Sequence, residues 1–377
     1  MIYWDNAATT WPKPSTVRFS SCKANELYGA NPGRSGHQMS LRSAEQVYRC
    51  RQAVAEFFGL NDPTGVVFTA NCTTALNMVI QGVLRDGGCA VTSDLEHNAV
   101  MRPLAQYRYK TVTWCPNEEE LIDRFRRAIC PETRLLICTH ASNVFGVTLP
   151  IRKLGELAHR YGLLFCVDAA QSAGILPIDM EQDHIDYLCV APHKGLYAPM
   201  GTGMLLCRDS STLPPLIYGG TGSHSLSLEQ PEELPDRLES GTPNTSGICG
   251  IRAGIEFLQS RGRERIYWHE IHCLQQVYDG LYGCPSIRFY VPRPAFGRAV
   301  PVLSLNIDSL SSEEATALLD ERGIATRAGL HCAPAAHKHF DTLEQGTIRL
   351  APSAFSTEEE AAYISKVFLE ITKKTLH

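Results

Sequence analysis

An α/β fold built on a mostly parallel sheet is predicted by three features of the sequence. Between about residues 65 and 207, short apolar, β-branched runs alternate with amphipathic stretches of helical length. Most of these runs are apolar throughout, as strands covered on both faces require. At 377 residues the chain also exceeds the usual size of a single core, so a large sheet domain and a second, smaller domain are expected.

The strands are expected at 66–69, 89–92, 111–114, 135–139, 164–167, 187–190 and 203–207, giving a seven-stranded sheet. The helix at 73–84 follows the first of them, because Ala75, Leu76, Val79, Ile80 and Val83 recur on one face. The stretch 218–247 is rich in Gly, Ser and Pro and lacks periodicity, and so long a loop inside a domain points to function. After Gly250 the pattern becomes helix 252–260, strand 301–306, helix 312–322, strand 346–350 and a final helix from 357, which suits a smaller α+β domain with its boundary near 250–260. No internal repeat is present.

Composition narrows the function. Hydrophobic residues make up 44% and charged residues 20%, as in an ordinary globular enzyme. The net charge of -5 and pI near 6.2 come from interspersed signs, without the basic stripe that nucleic acid or anionic membrane requires. No apolar run reaches the roughly 18 residues of a membrane span, and Met1 leads into Ile2-Tyr3-Trp4-Asp5 without a signal-peptide pattern, so a cytoplasmic protein is expected. The 14 cysteines are scattered through apparent strands such as 135–138 and 165–167, form no Cys-x-x-Cys pair, and read mostly as core residues.

Open α/β sheets bind ligands beyond the carboxyl ends of their strands. The residues there are Asn71, Cys72 and Thr73; Glu96 and His97; Ser142 and Asn143; Asp168 and Gln171; His193 and Lys194. Asn71-Cys72-Thr73-Thr74 opens a helix and offers unpaired N–H groups to a phosphate, although a simple N-cap has the same appearance. Asp168 ends an apolar strand, where a carboxylate needs a cationic partner such as a pyridinium N–H, or else an arginine. Lys194, in a Gly/Pro-rich turn, can form a Schiff base or stand solvated. Cys332 lies in the loop Arg327 to Pro334, where Arg327 and His331 are expected to favour its thiolate. A metal site at His331, Cys332, His337 and His339 matches no common ligand spacing, and none is expected.

Asp5-Asn6-Ala7-Ala8-Thr9, Glu96-His97-Asn98, Asp168 to Ser172, His193-Lys194-Gly195, Glu239 to Asn244 and Arg327 to Pro334 together resemble the cysteine desulfurase and selenocysteine lyase family, of the class V aminotransferase fold. The resemblance runs from residue 2 to about 361 and implies a fold type I enzyme dependent on pyridoxal 5′-phosphate (PLP). It implies an arm at 1–15 packing with the small domain, a PLP-binding domain at 16–250, and a domain at 251–377 that carries Cys332. By the resemblance, Lys194 holds the cofactor, Asp168 keeps its ring nitrogen protonated, His97 stacks on the ring, and Gln171 and Asn143 sit beside the ring hydroxyl. Cys72, Thr73 and His193 would hold the phosphate, joined by Thr242 from the partner of a homodimer. Arg349, with Asn143 and Arg327, would bind the substrate carboxylate. The implied reaction turns L-cysteine into L-alanine and leaves a persulfide on Cys332 for a sulfur-acceptor protein.

The sequence departs from that family at Ala191-Pro192, where a hydroxyl residue and glycine are usual, at Cys72, in place of Thr, and at Ala198, in place of Gly. The lost hydroxyl donor is worth roughly 1.5–3 kcal/mol toward the phosphate. A selenocysteine lyase, a class V aminotransferase without need of the thiol, and a cofactor-poor scaffold in sulfur or selenium trafficking are the competing readings.

Overall fold

The structure, a computed structural model, describes residues 1–33, 36–208 and 213–375. The chain opens with strand β1 (Ile2–Tyr3) and helices α1 (Ser15–Leu27) and α2 (Gln38–Phe57). Sequence periodicity does not mark these helices, because polar residues interrupt the inner stripe. α2 buries Ser40, Ser43, Gln46 and Arg51 alongside Val47, Cys50 and Val54.

The sheet region follows in order: β2 (Val66–Thr69), α3 (Cys72–Leu84), β3 (Cys89–Ser93), α4 (Asn98–Leu104), β4 (Arg108–Val112), α5 (Glu118–Ala128), β5 (Thr133–Thr139), α6 (Ile151–Arg160), β6 (Leu164–Asp168), β7 (Tyr187–Val190) and β8 (Gly203–Cys207). These strands form one seven-stranded sheet in the order β2-β8-β7-β6-β5-β3-β4, in which β8 alone runs against the others. The predicted mostly parallel sheet is therefore present. Its 111–114 strand lies at 108–112 instead: β4 is an edge strand whose first four residues are exposed, so no apolar run announces its start.

Strand alternation divides the interior into two layers. Leu136 and Cys138 of β5 enter one apolar cluster with α2, α5, α6 and the helix that follows β8, while Leu135 and Ile137 enter the other with α3. Cysteines fill these layers as expected, nine of the 14 being buried, Cys138, Cys166 and Cys189 among them.

The remainder comprises α7 (Thr245–Arg261), α8 (Arg263–Leu281), β9 (Ile287–Phe289), β10 (Leu303–Ile307), α9 (Ser312–Asp320), β11 (Ile324–Ala325), α10 (Pro334–His339), β12 (Ile348–Leu350) and α11 (Glu358–Thr375). α7 begins earlier than the predicted residue 252, because the Asn244 side chain accepts the Gly247 N–H and caps it. A three-stranded antiparallel sheet, β12-β10-β9, shares a core with Trp4, α8 and α11, and β1 pairs with β11 in parallel. The first residues of the chain are thus built into its last third.

Helix α7 reaches the turn that carries Lys194. A Cβ added at Gly254 would stand 1.9 Å from the Leu196 carbonyl oxygen. Gly254→Ala is therefore expected to lower stability by about 1–3 kcal/mol through overpacking, read as a lower urea midpoint; an unchanged midpoint would show that the close approach is not structurally required.

Candidate active site

The parallel strands end on one rim, and the chain places most of the predicted residues there. Asp168, last in β6, is buried by the sheet on both sides. Its Oδ1 accepts the Ala170 N–H at 2.9 Å and the Cys72 thiol at 3.8 Å, and both contacts leave Oδ2 open. Burial raises its pKa; the Ala170 N–H and the Lys194 charge oppose this. Lys194 follows β7 and is half-buried. Its pKa is lowered by burial first, then by the Arg349 charge, with Asp168 pulling the other way. An amine held between buried charges of both signs is a usable nucleophile nearer to neutrality than a surface lysine.

The N-terminus of α3 starts at Asn71, whose side chain caps the Thr74 N–H at 2.9 Å and leaves the Cys72 and Thr73 amides at the tip of the helix. His193, beside Lys194, has a buried Nδ1 with no partner, while its carbonyl is gripped by Thr10 and by Lys13 Nζ at 2.7 Å. Burial, then the Lys194 charge, pulls His193 down to about 4. Gln171 is turned to the N-terminal arm and donates to the Ala7 carbonyl at 3.0 Å.

His97 caps α4, its Nδ1 accepting the Ala99 N–H at 3.0 Å. Burial and the surrounding cations, Lys194 first, hold it near a pKa of about 4, so the ring is neutral at pH 7. With Nδ1 committed as acceptor, its proton resides on Nε2, and His97 is a donor from that atom.

Arg349, on β12, is 2% exposed. One of its Nη groups donates to the Asn143 carbonyl at 3.0 Å and the other to Asp5 Oδ1 at 2.8 Å, while Nε is buried without a partner. Asp5 is a residue that sequence reasoning missed as a site component; the signal was a buried arginine in an apolar strand, which requires an acid. Arg327 runs alongside, its carbonyl accepting the Arg349 N–H at 2.8 Å.

Cys332 has an exposed side chain, and its loop is held from beneath. Asn143 donates to the His331 carbonyl at 2.7 Å, and the Asn98 N–H to the Cys332 carbonyl at 2.7 Å. His331 and Cys332 both take positive φ, +47° and +59°, a conformation that costs about 1–2 kcal/mol per non-glycine residue and persists here under those bonds. The expected cationic help from His331 is absent. Its ring is buried against the Thr347 carbonyl, and burial drives its pKa down to about 2, so it is uncharged at neutral pH. Thr242 lies apart from this group. It lines a separate cavity of about 270 Å³ with Asn31, Tyr48, Arg51 and Glu239, at which no other predicted site residue appears.

Glu96 stands beside His97 at the same rim. It is fully buried and braces two strand ends, taking the Thr139 N–H at 2.9 and 3.0 Å and contacting the Ser93 hydroxyl. Burial raises its pKa from 4.5 to about 8. A folded-state pKa above the unfolded value gives a contribution that is full below about pH 4.5 and is lost as pH rises through about 8. Glu96→Gln is expected to flatten the fall in stability over that interval, measured by urea midpoints; an unchanged pH slope would mean that Glu96 stays ionised in the fold.

Comparison with known proteins identifies the family. The class V aminotransferase family model matches residues 2–364. A probable cysteine desulfurase of Synechocystis sp. is 30% identical, over 96% of this chain and 88% of its own, and one of Methanothermobacter thermautotrophicus is 31% identical, over 98% and 94%. The apo structure of a cysteine desulfurase from Thermococcus onnurineus superposes with a TM-score of 0.91 at 30% identity, covering 99% of this chain and 95% of that one. An Escherichia coli cysteine desulfurase superposes with a TM-score of 0.87 at 26% identity, covering 98% and 94%. The fold is that of the fold type I PLP enzymes, and the chain belongs to the class V aminotransferase family, in its cysteine desulfurase branch.

Proposed function

We propose that this chain is a PLP-dependent cysteine desulfurase that converts L-cysteine to L-alanine and retains the sulfur as a persulfide on Cys332. The observation that carries the reading is the exposed Cys332 thiol, pinned through Asn98 and Asn143 to the rim that holds Lys194 and Asp168. A transaminase has no use for such a thiol.

The residues fit PLP. Asp168 Oδ2 is open and lacks the cationic partner that its burial calls for, and His193 Nδ1 is a buried polar atom without one. Lys194 would hold the cofactor, Asp168 its ring nitrogen, and Cys72, Thr73 and His193 its phosphate. When bound, PLP supplies an electron sink for the substrate carbon skeleton. Arg349, through its free Nε edge, binds the substrate carboxylate beside Asn143. Lys194 moves the proton at Cα, and His97 donates from Nε2. The Cys332 thiolate then attacks the substrate sulfur: an S–S bond forms, the Cβ–S bond breaks with its electron pair passing to carbon, and Cβ gains a proton. Both sulfurs are oxidised by one electron each and the carbon is reduced by two, so no external oxidant enters.

The further readings belong to the same proposal. A second copy of the chain covers the exposed apolar residues Met39, Leu41 and Tyr48 of α2 and Leu226 and Leu228 of the long loop, and receives Thr242 at its phosphate. An arm at 1–15, a large domain and a smaller domain that follows it are its structural units, with the boundary after α7 rather than at 250, because Ile251, Ile255 and Leu258 of that helix pack in the core of the large sheet, and a cytoplasmic acceptor protein takes the sulfur. No described helix is long and apolar enough to cross a membrane.

Sulfide and alanine release from L-cysteine, with PLP and a reducing thiol, tests the reading. Lys194→Ala is expected to abolish both products. Cys332→Ala is expected to lose sulfide release by about a hundredfold or more while still binding PLP, the scale of removing a catalytic nucleophile. Undiminished turnover of an amino donor by Cys332→Ala would instead establish a transaminase.

A further inference from the structure

Strand β2 stands at the open edge of the seven-stranded sheet, so its outer N–H and C=O groups have no strand to pair with. One ion pair substitutes for the missing strand. Arg51 of α2 meets Glu239 of the long loop fork to fork, Nη1 to Oε1 at 2.7 Å and Nη2 to Oε2 at 2.6 Å, with the two side chains only 8% and 13% exposed. Arg51 Nη1 also donates to the Val66 carbonyl, and Glu239 Oε1 also accepts the Phe68 N–H. The guanidinium carbon lies 4.7 Å from the centre of the Phe68 ring. A single charged fork therefore makes the contacts that a neighbouring strand would otherwise make.

The two segments joined in this way both lead toward phosphate. β2 runs into Asn71, Cys72 and Thr73 at the start of α3, and Glu239 stands just before Thr242. Much of the loop's bonding is to itself, as in Ser240 Oγ to the Ile217 carbonyl at 3.0 Å and Gly241 N–H to the Gly220 carbonyl at 2.9 Å. The Arg51–Glu239 fork and the buried Leu238 tie it to the body of the protein.

We propose that Arg51 and Glu239 are positioning residues for the cofactor phosphates of the dimer, setting from one point the strand end that presents the Cys72 and Thr73 amides to the chain's own cofactor and the loop that presents Thr242 to that of the second copy. The inference rests on the PLP reading above and adds a device to it. An exposed ion pair is worth little. This one is buried, bidentate and shared with two backbone groups, and lysine cannot reproduce the planar fork.

The test compares Arg51→Lys, Glu239→Gln, Thr242→Ala and the Arg51→Lys/Thr242→Ala double variant in the full chain. Amide hydrogen exchange at Phe68 and across 217–242 is read beside the PLP dissociation constant from spectroscopic titration. The expected result for Arg51→Lys is exchange at Phe68 faster by about tenfold or more, PLP affinity weaker by about tenfold, and an effect that adds incompletely to Thr242→Ala. Glu239→Gln keeps the acceptor oxygen without the charge; it is expected to fall between wild type and Arg51→Lys, and it carries the test should Arg51→Lys not fold. Unchanged Phe68 exchange overturns the anchoring. Faster exchange with unchanged PLP affinity overturns the positioning role. Failure of the wild type itself to bind PLP overturns the functional reading, and the exchange rates then judge the anchor alone.

Discussion

Asp168 is the constraint around which the rest is arranged. A carboxylate at the end of a fully buried strand loses its hydration, and a penalty of several kcal/mol remains unless a cation or donors meet it. The Ala170 amide and the Cys72 thiol occupy one oxygen, and the Lys194 charge opposes the rise in its pKa. The other oxygen stays open toward the rim. A cation is the partner that such an atom calls for, and in the function proposed above it is the protonated ring nitrogen of the cofactor.

A second buried charge repeats the logic from the other sheet. Arg349 is neutralised by Asp5, 344 residues away in sequence, which draws the N-terminal arm over the site. Burial, reinforced by the charges of Lys194, Arg327 and Arg349, keeps His97 neutral, the form in which its tautomer is fixed by the Ala99 amide. Cys332 lies on a backbone bent into the left-handed region, its side chain exposed while its loop stays bound to Asn98 and Asn143.

Local patterns were legible in the sequence. Strands buried on both faces read as apolar runs, and the residues just after them, Cys72, His97, Asn143, Asp168 and Lys194, named the rim. What depended on distant partners was not legible. The Asp5–Arg349 and Arg51–Glu239 pairs join residues with no local signature, α2 buries polar side chains that break the helical stripe, α1 buries only Val17 and Ala24, and β4 carries exposed edge residues. His331 reads as an aid to the Cys332 thiolate from its place beside that residue in sequence, whereas burial beneath Thr347 leaves its ring uncharged.

The account rests most directly on Lys194 as the attachment point of the cofactor. Incubating the protein with PLP, reducing with borohydride and locating the pyridoxyl mass on proteolytic peptides tests this without any turnover. The account predicts one stoichiometric adduct, on Lys194. An adduct on Lys13 or on surface lysines, or none at saturating PLP, would contradict it.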